Sequence, residues 1–110
     1  MNELAPISNI FSTLIASREF ELFNCTSTEK VTVEIGTPVN DVETVSGYDW
    51  RCPIKIIIGS EIINDRACGV DSFQALSIAM NQLIKLRLET IAQEKEATIR
   101  LYGEEYDFEL

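Results

Sequence analysis

The side chains best suited to chemistry lie close together in the sequence. Arg51 is next to Cys52, and a neighbouring cation lowers the pKa of a thiol and so activates it as a nucleophile. A carboxylate at Asp49 would be the accompanying general base. These three residues define one hypothesis for function, a small enzyme that uses Cys52 or carboxylate chemistry.

The local sequence favours structural roles for the same residues. Cys52 is in phase with Trp50 and Ile54 on the apolar side of an alternating segment. That position is typical of a buried, inert thiol. Asp49 suits a turn, and Asp71, the other carboxylate beside a well-defined element, suits the N-terminus of a helix. A catalytic carboxylate pair is therefore the less favoured interpretation.

The rest of the sequence offers little catalytic machinery. It contains no histidine, which removes the commonest general base, imidazole metal ligands and Ser-His-Asp catalysis. Its five glycines are scattered, and no phosphate-binding loop is present. The three cysteines, Cys25, Cys52 and Cys68, lack the spacing of a zinc site and are odd in number. We therefore expect a protein that is not an enzyme and holds neither a metal nor a cofactor.

Charge is the most distinctive bulk property of the chain. Eighteen acidic residues stand against nine basic ones, which gives a net charge of −9. Nucleic acid and anionic membranes repel such a chain, so neither is an expected partner. The charge would keep a protein soluble through self-repulsion, and it would also attract a basic protein. The partner we expect is therefore a protein, and a basic one; the oligomeric state is left open.

Length and composition indicate a single globular domain. The 110 residues are 45% hydrophobic and 25% charged, which is ordinary for one self-sufficient core. Residues 1–13 are predicted to be a weakly structured leader, and residues 14–110 the domain. The start lacks the basic residues and long apolar run of a signal peptide, and no stretch approaches 18 apolar residues. These features predict a cytoplasmic protein.

Alternation of apolar and polar residues predicts five or six strands. The clearest has apolar residues at every second position from Trp50 to Ile58. The other predicted strands are Arg18–Asn24, Lys30–Gly36, Glu61–Ala67, Ala97–Tyr102 and a last one after Gly103. The polar stretch of about a dozen residues after Pro38 is expected to be a loop.

A strongly capped helix is predicted after Gly69. Asp71 would cap it, and Gln74, three residues later, would complete a capping box. On an ideal wheel one half is apolar and contains Phe73, Ala75, Leu76, Ala79, Met80, Leu83, Ile84, Leu86 and Ile91. The helix is expected to extend to about Lys95. The predicted fold class is therefore α+β, an antiparallel sheet with one long helix packed on one face.

Three helix residues do not fit this wheel. Arg87 falls within the apolar half, where it would either snorkel to the helix edge or pair with a carboxylate below it. Ile78 and Leu88 fall on the polar half. They would be ordinary exposed apolar residues or, together, a contact for another chain.

The C-terminal segment combines acids with aromatic residues. It would form an acidic edge strand that its charges protect from aggregation. Alternatively, it would be an acidic docking strip for a basic partner, with the aromatic side chains as anchors. The candidate partner-binding residues are therefore Glu104, Glu105, Tyr106, Asp107 and Phe108, together with Ile78 and Leu88.

Two motifs resemble an uncharacterised family of small bacterial domains. They are DWRCP at Asp49–Pro53 and GVDSFQAL at Gly69–Leu76, and the segment Ile15–Phe20 is similar to the usual start of that family. The resemblance covers roughly residues 14 to 102. It implies a compact stand-alone domain and no particular activity or catalytic residue.

These observations rank three hypotheses. The first is a non-catalytic interaction protein of a bacterial cytoplasm, of which an immunity-type protein that neutralises a basic toxin is the most concrete version. The second is a small enzyme with carboxylate or Cys52 chemistry. The third is a structural subunit of a homo-oligomer, assembled through Ile78 and Leu88 or through an open sheet edge.

Overall fold

The alternating segments of the sequence form strands of one antiparallel sheet. The computed structural model describes residues 3–106. Its strands are β1 (Leu14–Phe23), β2 (Thr28–Gly36), β3 (Val39–Thr44), β4 (Gly47–Ile58), β5 (Glu61–Gly69), β6 (Thr98–Leu101) and β7 (Glu104–Glu105). A single helix, α1, occupies residues 72–94 between β5 and β6. The predicted α+β class, one antiparallel sheet with one helix, is confirmed.

Strand β4 is the centre of the sheet. Along one edge it pairs with β2 at residues 54–58 and with β3 at residues 47–51, and along the other edge it pairs with β5. From β2 the sheet continues through β1 and β6 to β7. Strand β1 pairs with β2 along its length but with β6 only at residues 21–23. Within residues 3–106, the rest of that edge of β1 has no neighbouring strand.

Strand β3 replaces the polar loop that the sequence predicted. The pairing of β3 with β4 shifts register between Val39 and Val42, so a bulge places Asn40 and Asp41 between the two valines. A bulge adds a residue to one strand and breaks the two-residue alternation of side chains. The loop prediction was wrong because it relied on that alternation.

One hydrophobic cluster contains residues of both the sheet and the helix. Its helix members are Ala75, Ala79, Leu88 and Ile91, and its sheet members with no measurable exposure are Val31, Cys52, Ile54 and Ile56. Trp50 and Leu83, predicted to face the core, pack against it and are partly buried. The helix begins so close to β5 that a Cβ at Gly69 would lie 2.6 Å from the nitrogen of Ala75. Only glycine fits at that position.

The predicted cap of α1 is confirmed. The carboxylate of Asp71 accepts a hydrogen bond from the backbone amide of Gln74 at 2.7 Å. The side chain of Gln74 in turn accepts one from the amide of Val70 at 2.8 Å. Two of the free donors at the helix entrance are thereby satisfied.

The middle of α1 departs from α-helical geometry. Segments Ser72–Ile78 and Ile84–Glu94 are α-helical, and Ala79–Leu83 between them is a π-helical turn. A π turn contains about one residue more than an α turn, and one extra residue rotates all that follows by about 100°. The helical wheel drawn for an uninterrupted α-helix is therefore wrong beyond this turn.

Four apolar residues lie where that wheel did not place them. Leu88, predicted on the polar half, is fully buried, and Leu86, predicted on the apolar half, is 60% exposed, because the π turn rotates both. Phe73 and Met80 are 82% and 54% exposed. Phe73 precedes the π turn and Met80 lies within it, so the buried stripe of the helix is narrower than the predicted apolar half.

Alanine substitutions at positions 86 and 88 test the π turn. Leu88→Ala should lower the free energy of unfolding by about 3 kcal/mol, because it empties a fully buried site. Leu86→Ala should change it by less than about 0.5 kcal/mol, because that side chain is mostly in water. Urea denaturation of the two variants gives both values. A larger loss for Leu86→Ala than for Leu88→Ala would contradict the helix described here.

Candidate partner-binding site

The acidic residues of the predicted docking strip lie in β7. Glu104 and Glu105 are both exposed. Glu105 is opposite Arg100 in β6, which is opposite Glu21 in β1, which is opposite Lys30 in β2. Charges of alternating sign therefore follow one another across four strands, an arrangement that stabilises neighbouring strands. Glu104, which is opposite an apolar residue of β6, is the acid of this pair without a basic cross-strand neighbour.

The aromatic anchor predicted at Tyr106 packs against the protein itself. Its ring meets that of Phe20 edge to face, with centroids 5.1 Å apart, and its backbone amide donates to the carbonyl of Ile99 at 2.9 Å. Tyr106 thus helps to close one end of the hydrophobic cluster. The other two members of the predicted strip, Asp107 and Phe108, lie outside the described residues.

The surface contact for another chain that was predicted at Ile78 and Leu88 does not include both residues. Leu88 is a fully buried member of the hydrophobic cluster, so its assignment as an exposed contact residue was wrong. Ile78 is half-buried and packs against the same cluster. The π turn explains this correction, since it turns Leu88 into the hydrophobic cluster.

An apolar groove lies between α1 and the part of β1 that has no neighbouring strand. It is lined by Ala16, Ser17, Arg18, Phe20, Val33, Ile35, Met80, Ile84 and Tyr106. Its volume is about 190 Å³, below the roughly 300–1,000 Å³ of sites for drug-sized ligands and cofactors. The groove has room for one or two side chains of a peptide. Sequence reasoning missed it because Met80, which forms one wall, was assigned to the core.

The residues considered for thiol chemistry do not converge. Cys52 is fully buried, with its sulfur 3.5 Å from the carbonyl oxygen of Gly36, and burial raises the pKa of the thiol to about 11. Asp49 and Arg51 are an odd number of residues from Cys52 along β4, so their side chains project from the opposite face. The expected burial of Cys52 is confirmed, and the thiol is shifted away from the reactive form.

Arg51 instead forms an ion pair in which its own side chain is buried. Its side chain is 5% exposed, and its Nε and Nη2 donate to the two carboxylate oxygens of Asp41 at 2.7 and 3.1 Å. Its Nη1 donates to the backbone carbonyl of Ile10 at 2.7 Å. Both acceptors belong to segments predicted to be irregular, a loop and the leader. For this reason the burial of Arg51 and its hydrogen bonds to Asp41 and Ile10 were not predicted from the sequence.

The second ion pair joins the helix to the sheet. Arg87 donates through Nε and Nη2 to one carboxylate oxygen of Asp65, at 2.8 and 2.6 Å. Of the two roles considered for Arg87, the structure shows the carboxylate pair. Burial would raise the pKa of Asp65, but hydrogen bonds from Arg87 and from the backbone of Arg66, and the charges of both arginines, hold that pKa below its usual range.

Residues 3–106 contain neither a candidate metal site nor a helix that could span a membrane. No group of three or more histidine, cysteine, aspartate or glutamate side chains in this part of the chain could hold a metal ion. No helix there is both long and apolar enough to cross a membrane.

The fold and these surfaces define a small α+β domain with one antiparallel sheet, one helix and an apolar groove at an open strand edge. Its residues 16–110 match the family described as Domain of unknown function (DUF6968), and the chain belongs to that family. The resemblance to an uncharacterised family of small domains is thereby confirmed. No curated protein and no solved structure matches the chain.

The Asp65–Arg87 pair predicts a pH dependence of stability. Because the pKa of Asp65 is lower in the folded than in the unfolded protein, the stabilisation is complete above the unfolded pKa and is lost as pH falls through the folded one. Arg87→Met should therefore cost about 2 kcal/mol of unfolding free energy at neutral pH and much less once Asp65 is protonated. Chemical denaturation across the acidic range measures this difference.

The matched control is Lys85→Met, which removes a helix cation that forms no ion pair within the described residues. It should cost less than about 0.5 kcal/mol at every pH. An Arg87→Met cost that is the same in acid as at neutral pH would show that Arg87 does not stabilise the fold through the charge of Asp65.

Proposed function

We propose that this protein is a non-catalytic interaction protein of a bacterial cytoplasm, and that its partner is a basic protein. The observation that supports this proposal is that most basic residues make contacts within the fold, whereas few acidic residues do. Six of the nine lysines and arginines are engaged within the fold: Lys30, Arg51, Arg66 and Arg87 in ion pairs, and Lys55 and Arg100 against aromatic rings. Within residues 3–106 the ion pairs occupy only Glu19, Asp41 and Asp65 among the acids.

This imbalance leaves a negative surface without local compensation. Unpaired carboxylates add to a potential that extends about 8–10 Å into physiological salt, whereas paired charges largely cancel. Such a field accelerates encounter with a basic protein and repels acidic ones. An immunity-type role, in which the protein neutralises a basic toxin, requires fast association of this kind.

The proposal also assigns the helix to one face of the sheet and leaves the part of the other face formed by β1 and β2 for contacts. Its support is that four residues of α1 share the hydrophobic cluster with inward-facing sheet residues. On the opposite side of the strands, residues such as Glu19 and Lys30 are 66% exposed. A partner would therefore meet a charged sheet face and, at the edge of β1, the apolar groove.

Salt dependence of association tests the proposed partner class. The protein is immobilised, partners are captured from the native host, and each association rate is measured over rising NaCl. We expect a basic partner whose rate falls at least about tenfold from low to high salt, because screening removes the attraction. For the immunity-type role, that partner should be toxic when expressed alone and harmless with this protein. Capture of only neutral or acidic partners, or a rate that salt leaves unchanged, would contradict the proposal.

Matched charge variants then locate the contact. The double substitution Glu104→Gln and Glu105→Gln should slow association more than Glu61→Gln and Glu94→Gln, which removes two exposed acids elsewhere. Equal effects would support the general field and dismiss the strip in β7.

Assembly into a homo-oligomer is the second candidate, and the open edge of β1 favours it. Among the residues that the structure describes, no strand pairs with residues 14–20 on that side, and an unpaired strand edge can pair with a second copy. Sedimentation of the isolated chain at high concentration should then show a dimer. Ala16→Lys should dissociate this dimer, whereas Ser46→Lys, at an exposed turn, should not. A wild-type monomer at millimolar concentration would remove this candidate.

A further inference from the structure

The outer face of β4 recognises residues 10–13 of the same chain through a backbone carbonyl. The carbonyl of Ile10 accepts from Nη1 of Arg51 at 2.7 Å, while Asp41 holds the other side of the guanidinium. The two hydrogen bonds to Asp41 fix the orientation of the guanidinium. Arg51 as a whole is 4% exposed. The carbonyl of Ile10 thus satisfies one donor of a guanidinium that is buried in the folded chain, where a donor without an acceptor would be unfavourable. Because this contact is to backbone, it places no demand on the side chain at position 10.

Side-chain contacts on either side of Arg51 add selectivity. The ring of Phe11 lies under the ammonium of Lys55, 4.7 Å from ring centroid to nitrogen. The hydroxyl of Ser12 donates to the carbonyl of Thr37 at 2.7 Å, and the amide of Thr37 donates to the carbonyl of Thr13 at 2.8 Å. Together these contacts recognise three successive features of the leader: the carbonyl of Ile10, the aromatic ring of Phe11 and the small hydroxyl side chain of Ser12.

The space for this segment depends on a glycine. A Cβ at Gly36 would lie 2.5 Å from the hydroxyl oxygen of Ser12, 2.9 Å from Pro53 and 3.3 Å from the ring of Phe11. The missing side chain at position 36 therefore makes the room that residues 11 and 12 occupy. The groups that form this space all lie within the family match at residues 16–110, whereas the segment that fills it lies before the match.

We propose that these groups form a peptide-binding slot, which residues 10–13 fill in cis. The slot consists of Gly36, Thr37, Arg51, Pro53 and Lys55. Its ligand class is an extended peptide with a free backbone carbonyl, then an aromatic residue, then a small hydroxyl residue. The leader is such a ligand, tethered at a high effective concentration, and a segment of that chemistry from another chain competes for the slot whenever the leader leaves it. This inference does not depend on the acidic surface or on a basic partner.

Binding in trans tests the slot in the full-length protein. The probe is a fluorescent synthetic peptide with the sequence of residues 3–13. Phe11→Ala weakens the tethered leader without altering the slot, so this variant should bind the probe at least about tenfold tighter than the wild type, in which the leader competes at an effective concentration near millimolar. Adding Gly36→Ala to Phe11→Ala should abolish probe binding, because the new methyl group fills the slot. Leu4→Ala, an exposed leader residue, should behave like the wild type.

Hydrogen exchange at Thr37 provides a second readout in the same variants. Its amide is bonded to the leader, so exchange should be at least about fivefold faster in Phe11→Ala and unchanged in Leu4→Ala. If Gly36→Ala prevents folding, Lys55→Ala in the Phe11→Ala background should still weaken probe binding, since it removes the cation over the aromatic ring. Absence of probe binding to Phe11→Ala, or probe binding that neither Gly36→Ala nor Lys55→Ala reduces, would overturn the proposal.

Discussion

Burial of both faces of β4 is the constraint on which the rest of the structure depends. Four consecutive residues, 51–54, are buried, whereas a strand with one face in water would alternate. The inward face meets the hydrophobic cluster, and on the outward face Arg51 contacts Asp41 and Ile10 while Lys55 contacts Phe11. A charged residue on such a strand must be paired, since an isolated buried charge costs several kcal/mol. Arg51 is that residue, and Asp41 and the carbonyl of Ile10 are the groups that satisfy it.

The bulge of β3 follows from the same requirement. It places Asp41 opposite the guanidinium, where both carboxylate oxygens accept hydrogen bonds. Such a bidentate arginine–carboxylate pair restricts the geometry of both side chains more than a single hydrogen bond does. The bulge therefore serves to pair the buried arginine. The same arginine also binds the carbonyl of Ile10 and so holds the leader against the central strand. The slot on the outer face of β4 is a consequence of this solution.

The sequence predicted the elements whose signals are local and missed those set by contacts across the chain. The cap formed by Asp71 and Gln74 depends on residues three apart, and strand β4 has its own alternation, so both were predictable. The bulged strand β3 and the pairing of Arg51 with Ile10, 41 residues earlier, depend on neighbours that no local pattern contains. The groove likewise depends on how much of β1 the helix leaves uncovered.

The π turn explains why the predicted periodicity misplaced Leu86 and Leu88, which both follow it. Ala75 and Ala79 precede the extra residue, and both are buried as the wheel requires. Beyond it the same rotation has two effects: it brings Leu88 into the hydrophobic cluster, and it brings Arg87 to Asp65 on β5. An uninterrupted α-helix would place Leu88 in water. Because burial of Leu88 and the hydrogen bonds from Arg87 to Asp65 both stabilise the fold, packing and charge favour the same distortion, and the π turn is stabilised by contacts that lie outside it.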